Sequence, residues 1–215
     1  MDCNIIVISG RVTSAVNFSH NFRGINYYVC WLQSEYIRHN EIARVSARIY
    51  LPENLASELN IPIGTYIKVE GSLINSYHNG HRDITVSARK VSFPQPAERP
   101  VDYVKVSGMV TRFFTNDSNF SNFVSFIVSV DDEDSAEERR SISLRVVAWS
   151  KLAYQLYETL YVGDRVTIEG SLSGAKHSSN KKPHFYNRFA NTMINEIYCT
   201  ACYIDNQDNE KDFKE

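Results

Sequence analysis

The sequence predicts an all-β protein made of two tandem copies of one domain. Three observations carry this. Ile8-Ser9-Gly10-Arg11-Val12-Thr13 returns as Val106-Ser107-Gly108-Met109-Val110-Thr111. Gly64-Thr65-Tyr66-Ile67-Lys68-Val69-Glu70-Gly71-Ser72-Leu73 returns as Gly163-Asp164-Arg165-Val166-Thr167-Ile168-Glu169-Gly170-Ser171-Leu172. The displacements, 98 and 99 residues, agree, and a period that long belongs to globular domains rather than to a solenoid. Third, most of each copy alternates apolar and polar residues with a period of two, the mark of half-buried strands.

The elements follow in order. Ile6, Ile8 and Gly10 alternate in the first strand, as do Val104, Val106 and Gly108 in its repeat. Tyr27 to Leu32 and Phe123 to Val130 are rich in aromatic and β-branched residues. Val45, Ala47 and Ile49 alternate with Ser46, Arg48 and Tyr50, and Leu144, Val146 and Ala148 with Arg145, Val147 and Trp149. A helix comes next. Pro52 suits a first turn and Leu55 and Leu59 are spaced i, i+4, while Leu152, Leu156 and Leu160 share that spacing in the second copy. Gly64 and Gly163 turn the chain into a long hairpin, closed in copy one by Asn79-Gly80. Three strands, one short helix between strands 3 and 4, then two strands is the order of a five-stranded OB-fold barrel. The predicted architecture is two such barrels in tandem. Their bounds are 1–93 and 101–203, with a proline-rich linker over 94–100 and an acidic, disordered tail over 204–215.

Charge is unevenly placed. The net charge is −2, but residues 131–138 hold six acids and residues 204–215 carry a net −3. Those two segments account for −9, which leaves +7 on the rest, a mildly basic body. No run of 18 apolar residues exists and the N-terminus lacks a signal-peptide pattern, so a cytoplasmic protein without membrane contact is expected. Of the four cysteines, Cys199 and Cys202 form a lone C-x-x-C. Zinc would need two more ligands, so buried inert thiols are the expectation. There is no Gly-rich phosphate loop, no H-E-x-x-H and no G-x-S-x-G, and no enzyme or cofactor is expected.

Copy two carries a specific pattern. Ile142-Ser143-Leu144-Arg145-Val146-Val147-Ala148-Trp149-Ser150-Lys151-Leu152-Ala153 is followed by the Gly163-Asp164 to Gly170 strand. This resembles the bacterial-type single-stranded DNA-binding protein family. There an Arg-Val-Val strand ending in an aromatic leads into a Lys-Leu-Ala helix and a Gly-Asp strand ending in Glu-Gly. The match covers copy two almost end to end, and copy one is a diverged relative. A single offset of 99 sets Tyr50 against Trp149 and Arg48 against Val147. The family's acidic Pro-Phe tip is absent from the tail. The resemblance implies a non-enzymatic protein that coats single-stranded DNA in replication, repair, recombination or transfer. It also implies a homodimer, with four OB domains and possible contacts to replication or repair proteins. The sheet face opposite the aromatics is the expected dimer interface.

Binding strands without reading sequence needs aromatic faces for bases and cations for phosphates. The outward parity supplies Tyr27, Trp31, Arg48 and Tyr50 in copy one and Arg145 and Trp149 in copy two. The hairpins add Tyr77 and Arg82 in copy one, and Lys176, His177, Lys181, Lys182 and Tyr186 in copy two. Strand aromatics are often core and surface lysines often merely solvated. The pattern leaves both readings open for Trp31 and Tyr50. Two other functions also fit the sequence: an OB-fold adaptor with one non-binding copy, and an RNA-binding OB protein.

Overall fold

The computed structural model describes residues 3–38, 40–78, 81–95, 98–114, 122–131, 141–176, 193–205 and 211–214. It is mostly β, with two short helices. Copy one runs β1 (Asn4–Val12), β2 (Asn17–Phe22), β3 (Ile25–Arg38), β4 (Glu41–Pro52), α1 (Glu53–Leu59), β5 (Tyr66–His78) and β6 (His81–Ser92). Copy two runs β7 (Asp102–Phe114), β8 (Phe123–Asp131), β9 (Ser141–Trp149), α2 (Ser150–Thr159), β10 (Arg165–Lys176) and β11 (Met193–Ile204), and β12 (Lys211–Lys214) follows. Among the described residues no helix is long and apolar enough to cross a membrane.

Strand pairing closes a ring in each copy. β1 pairs β5, β5 pairs β6, β6 pairs β4 in parallel, β4 pairs β3, and β3 returns to β1. β7, β10, β11, β9 and β8 repeat that circuit, with the parallel step between β11 and β9. The repeated glycines explain themselves here. A Cβ on Gly10 or Gly108 would strike the carbonyl of Gln33 or Ser129, where the first strand of each ring bends against the next. A Cβ on Gly71 or Gly170 would strike the carbonyl of Ser87 or Tyr198, at matching β-bulges. Apolar residues of the inward parity fill each ring: Ile6, Ile8, Leu32, Ile49 and Ile67 in one, and Val106, Phe126, Leu144 and Ile168 in the other, where Leu156 of α2 joins them.

The two copies are zipped together by their first strands. β1 and β7 pair antiparallel, Asn4 with Val106, Ile6 with Val104 and Ile8 with Asp102. A displacement of 98 converts the first of these pairs into the last and maps Ile6 onto Val104, so a local pseudo-two-fold axis passes between Ile6 and Val104. Both residues are fully buried. Further links cross the junction. Tyr36 donates its hydroxyl to the Leu172 carbonyl (3.0 Å), the Arg38 guanidinium lies 4.3 Å from the Tyr198 ring centroid, and the Asn195 N–H donates to Asp83 Oδ1 (3.0 Å). With its amide turned to satisfy both groups, Asn75 donates to the Ser143 carbonyl (3.0 Å) and accepts from its N–H (2.9 Å).

Four expectations change. The segment before Tyr27 is a strand, β2, folded onto β3 through Arg23-Gly24. Both turn residues have positive φ (51° and 80°), the two-residue hairpin geometry that matches strand twist. Pro52 is the last strand residue before α1 rather than inside its first turn. The tail, expected to lack structure, carries β12 on β11, Ala201 opposite Lys214 and Ile204 opposite Lys211. β9 meets β11 only at Ile197 and Tyr198, so the far half of that edge is open to another strand. Finally, the β3 face opposite the aromatics is not free for a dimer. Cys30 and Leu32 are core, and Tyr36 is bonded to copy two.

Candidate nucleic-acid interface

The outward face of copy one is a ladder laid across β2, β3 and β4. Its rows, in register, are Phe22–Ile25, His20–Tyr27–Pro52, Val29–Tyr50 and Trp31–Arg48. All four predicted strand residues of copy one, Tyr27, Trp31, Arg48 and Tyr50, therefore share one surface. His20 and Phe22 join them, and the sequence reading missed both. The β2 bulge between Phe18 and His20 turns His20 onto this face. Its ring stacks on Tyr27 (5.2 Å, interplanar 8°) and meets Tyr50 edge-on (5.3 Å). Tyr50 is consequently buried, 9% exposed.

Arg48 sits at the centre of this cluster. Its guanidinium lies 5.8 Å from the Trp31 ring centroid and 5.6 Å from that of Tyr50, which is cation–π range. Its Nε and Nη1 are buried and have no hydrogen-bond partner. No ion pair joins Arg48 to any described residue. A cation held this way keeps a charge that no described carboxylate neutralises.

Copy two presents the same three-stranded face on β7, β8 and β9. Its rows are Arg112–Ile127–Arg145, Phe114–Ser125–Val147 and Phe123–Trp149. Trp149 is 40% exposed, with the Phe123 ring 4.9 Å away at 36°. Arg112 lies over Phe114 at 5.8 Å. Arg145 is engaged differently from Arg48. Its Nε is 3.4 Å from Glu196 Oε2 on β11, an ion-pair contact without hydrogen-bond geometry, and the Glu196 side chain is largely buried while that of Arg145 is partly exposed. Burial pushes the Glu196 carboxyl above its usual range, while Arg145 and then Arg38 pull it back. A cleft of about 440 Å³ lies between this face and the copy-one hairpin, lined by Asn75, Asp83, Arg112, Phe114, Arg145 and Asn195 among others.

The ring geometry corrects the alignment of the two copies. The parallel step pairs Ile49 with Val86 in one ring and Val146 with Ile197 in the other. Counting from there, Arg48 stands where Arg145 stands, Tyr50 where Val147 stands, and Pro52 where Trp149 stands. Pro52 and Trp149 each immediately precede their helix. The displacement is 97 at this strand and 99 at Gly64 and Gly163, so the two-residue difference falls in the helical segment.

Of the hairpin residues, Tyr77 pairs with Arg82 in β5–β6 and Lys176 with Met193 in β10–β11. His177, Lys181, Lys182 and Tyr186 lie outside the described residues. Three cysteines, Cys30, Cys199 and Cys202, are buried. Burial pushes the Cys30 thiol up to about 11 and the Cys202 thiol up to about 12, the opposite of what a reactive thiolate needs.

No protein-family model matches this chain, and no curated protein matches it either. Solved structures do. The chain is similar to the wild-type single-stranded DNA binding protein from Thermus aquaticus, with a TM-score of 0.67 at 16% identity, over 100% of this chain and 93% of that one. A deletion mutant of the same Thermus aquaticus protein, delta 228-252 R190A, gives 0.67 at 17% identity over 100% and 95%. The likeness extends over the whole chain and is a likeness of fold.

Proposed function

We propose that this chain binds single-stranded DNA without reading its sequence, along a path that touches both copies. Each ring is read as a five-stranded OB barrel with its helix between the third and fourth ring strands. The domains are 1–93 and 101–203, joined by residues 94–100. One observation carries the reading. The outward face of each ring bears an arginine at the same register position, Arg48 and Arg145, with aromatic rows beside it. Stacking on such rings contributes roughly 1–3 kcal/mol per base and tolerates any base, while guanidinium groups meet phosphates. The whole-chain likeness to the Thermus aquaticus protein supports the same conclusion. This chemistry is binding, not catalysis, and uses no cofactor. It suits a protein that coats exposed strands in replication, repair, recombination or transfer.

The test is a fluorescence titration of the full chain with poly(dT). Trp31 and Trp149 are the chain's two tryptophans and both lie on the proposed faces, so quenching should accompany binding. Absence of binding at low salt would overturn the reading. Competition between oligo(dT) and oligo(U) should favour the DNA, and preference for oligo(U) would make this an RNA-binding protein instead.

The chain is further proposed to form a homodimer, which would bring four barrels to one strand with two-fold symmetry. The exposed apolar pair Ile37 and Ile42, opposite each other near the tip of β3–β4, supports an additional interface. A monomer by light scattering at micromolar concentration would overturn this.

A further inference from the structure

The two equivalent arginines are not electrostatically equivalent, and the difference comes from one position on the neighbouring strand. Val86 and Ile197 are equivalent through the parallel step of each ring, so the residues before them, Thr85 and Glu196, are equivalent too. In copy two that residue is an acid on Arg145. In copy one it is Thr85, fully buried and hydrogen-bonded to Ser76, and among the described residues no acid pairs with Arg48. We infer that Glu196 is an internal competitor for the phosphate position at Arg145. Copy one therefore takes the first phosphate, at Arg48, and copy two takes its own only by displacing Glu196.

This rests on the single-strand reading above and adds an order to it. A carboxylate oxygen 3.4 Å from a guanidinium nitrogen sets its negative charge beside the position a phosphodiester oxygen would take. The pair is partly buried, so solvent does not screen it as it screens a surface pair. Displacing Glu196 strands a buried carboxylate, which opposes phosphate entry at Arg145. Arg48 carries no such opposition. Its unpaired Nε and Nη1 are a cost already present in the free protein, and an anion that reaches them removes it.

The experiment measures the affinity of the full chain for oligo(dT) as salt is varied. Each phosphate contact on a single strand contributes about −0.7 to the slope of log K against log salt. Arg48→Gln should flatten the slope by about one such contact, and Arg48→Lys should largely retain it. Arg145→Gln should flatten it by less than half as much. Glu196→Gln, nearly isosteric but uncharged, should strengthen low-salt binding by about threefold or more and steepen the slope by about 0.7. Adding Arg145→Gln to Glu196→Gln should abolish that gain. Unaltered affinity and slope in Glu196→Gln would overturn the proposal. So would equal losses in Arg48→Gln and Arg145→Gln. Circular dichroism of each variant separates these results from misfolding, and Glu196→Gln gives a gain that no folding defect imitates. A wild-type chain that binds no oligo(dT) would remove the underlying reading itself.

Discussion

Asn4 and Asp102 occupy the same place on either side of the pseudo-two-fold axis, and they hold their strands differently. The Asn4 amide donates to the Leu73 carbonyl (2.8 Å) and accepts from the Leu73 N–H (2.9 Å). Asp102 Oδ1 accepts from the Leu172 N–H (2.9 Å), but its Oδ2 is buried without a partner. The Leu172 carbonyl is taken by the Tyr36 hydroxyl (3.0 Å). An acid stands where the repeat shows that an amide fits. Burial pushes the Asp102 carboxyl up to about 7, against the smaller opposing pulls of the Leu172 N–H and Arg38.

A pH dependence follows. The unfolded carboxyl titrates near the ordinary value of about 3.9. Between about pH 4 and pH 7 the native chain holds a proton that the unfolded chain has lost, so stability falls as pH rises. Below that window the cost is absent, and above it the cost is complete. Asp102→Asn should copy the Asn4 arrangement. It should raise stability at pH 8 by about 1–4 kcal/mol and flatten the profile between about pH 4 and pH 7. Melting temperatures across that range decide it. Parallel profiles for wild type and variant would contradict the argument.

Trp149 and Tyr50 should now behave differently. Trp149 is exposed beside Phe123, so Trp149→Ala should weaken oligo(dT) binding by about 1–3 kcal/mol and disturb the fold little. Tyr50 is enclosed by His20 and Arg48, and Tyr50→Ala should cost about 2–4 kcal/mol of stability. Urea unfolding and fluorescence titration of both variants provide the check. Equal stability losses would mean that Tyr50 is no more buried in solution than Trp149.

Much of this was legible in the sequence. The period-two pattern places Ile6, Ile8, Leu32 and Ile49 inside and Tyr27, Trp31 and Arg48 outside, because one buried face per strand fixes parity. The repeated glycines point to matched bends. What was not legible depends on relations that no local pattern carries. Arg48 was set against Val147 because a two-residue length difference in the helical segment is invisible until strand pairing fixes the register. β2 was missed because Asn17 to Phe22 is mostly polar and buries no residue, so it lacks the usual strand signature. The β1–β7 pairing could not be read because edge complementarity between distant segments has no sequence period. Glu196 was missed because its significance lies only in facing Arg145.

The bulge glycines should be intolerant of even one carbon. Gly170→Ala sets a Cβ against the Tyr198 carbonyl, a backbone atom that cannot swing aside. The expected loss is about 1–3 kcal/mol, the range for overpacking. Gly71→Ala, against the Ser87 carbonyl, should match it. Equilibrium unfolding of both variants tests this, and wild-type stability in either would show that the bulge relaxes freely.

The tail should be structural as well as electrostatic. β12 covers the open edge of β11 from Ala201 to Ile204, next to the β10 pairing that closes the second ring. Residues 206–215 also carry a net charge of −2, which repels phosphates. Ending the chain after Asp205 removes both effects. The ring should persist, because Val166 still pairs with Ile204 and the core residues Ile168 and Cys202 remain. Stability should fall by about 1 kcal/mol, the scale of a short edge strand's net hydrogen bonding. Oligo(dT) affinity should rise, most at low salt, where exposed charge is least screened. Calorimetry and a salt-dependent titration of the shortened chain read the two changes separately. Unchanged melting would show that β12 contributes nothing to the edge. Weaker DNA binding would show that the tail contacts the strand rather than repelling it.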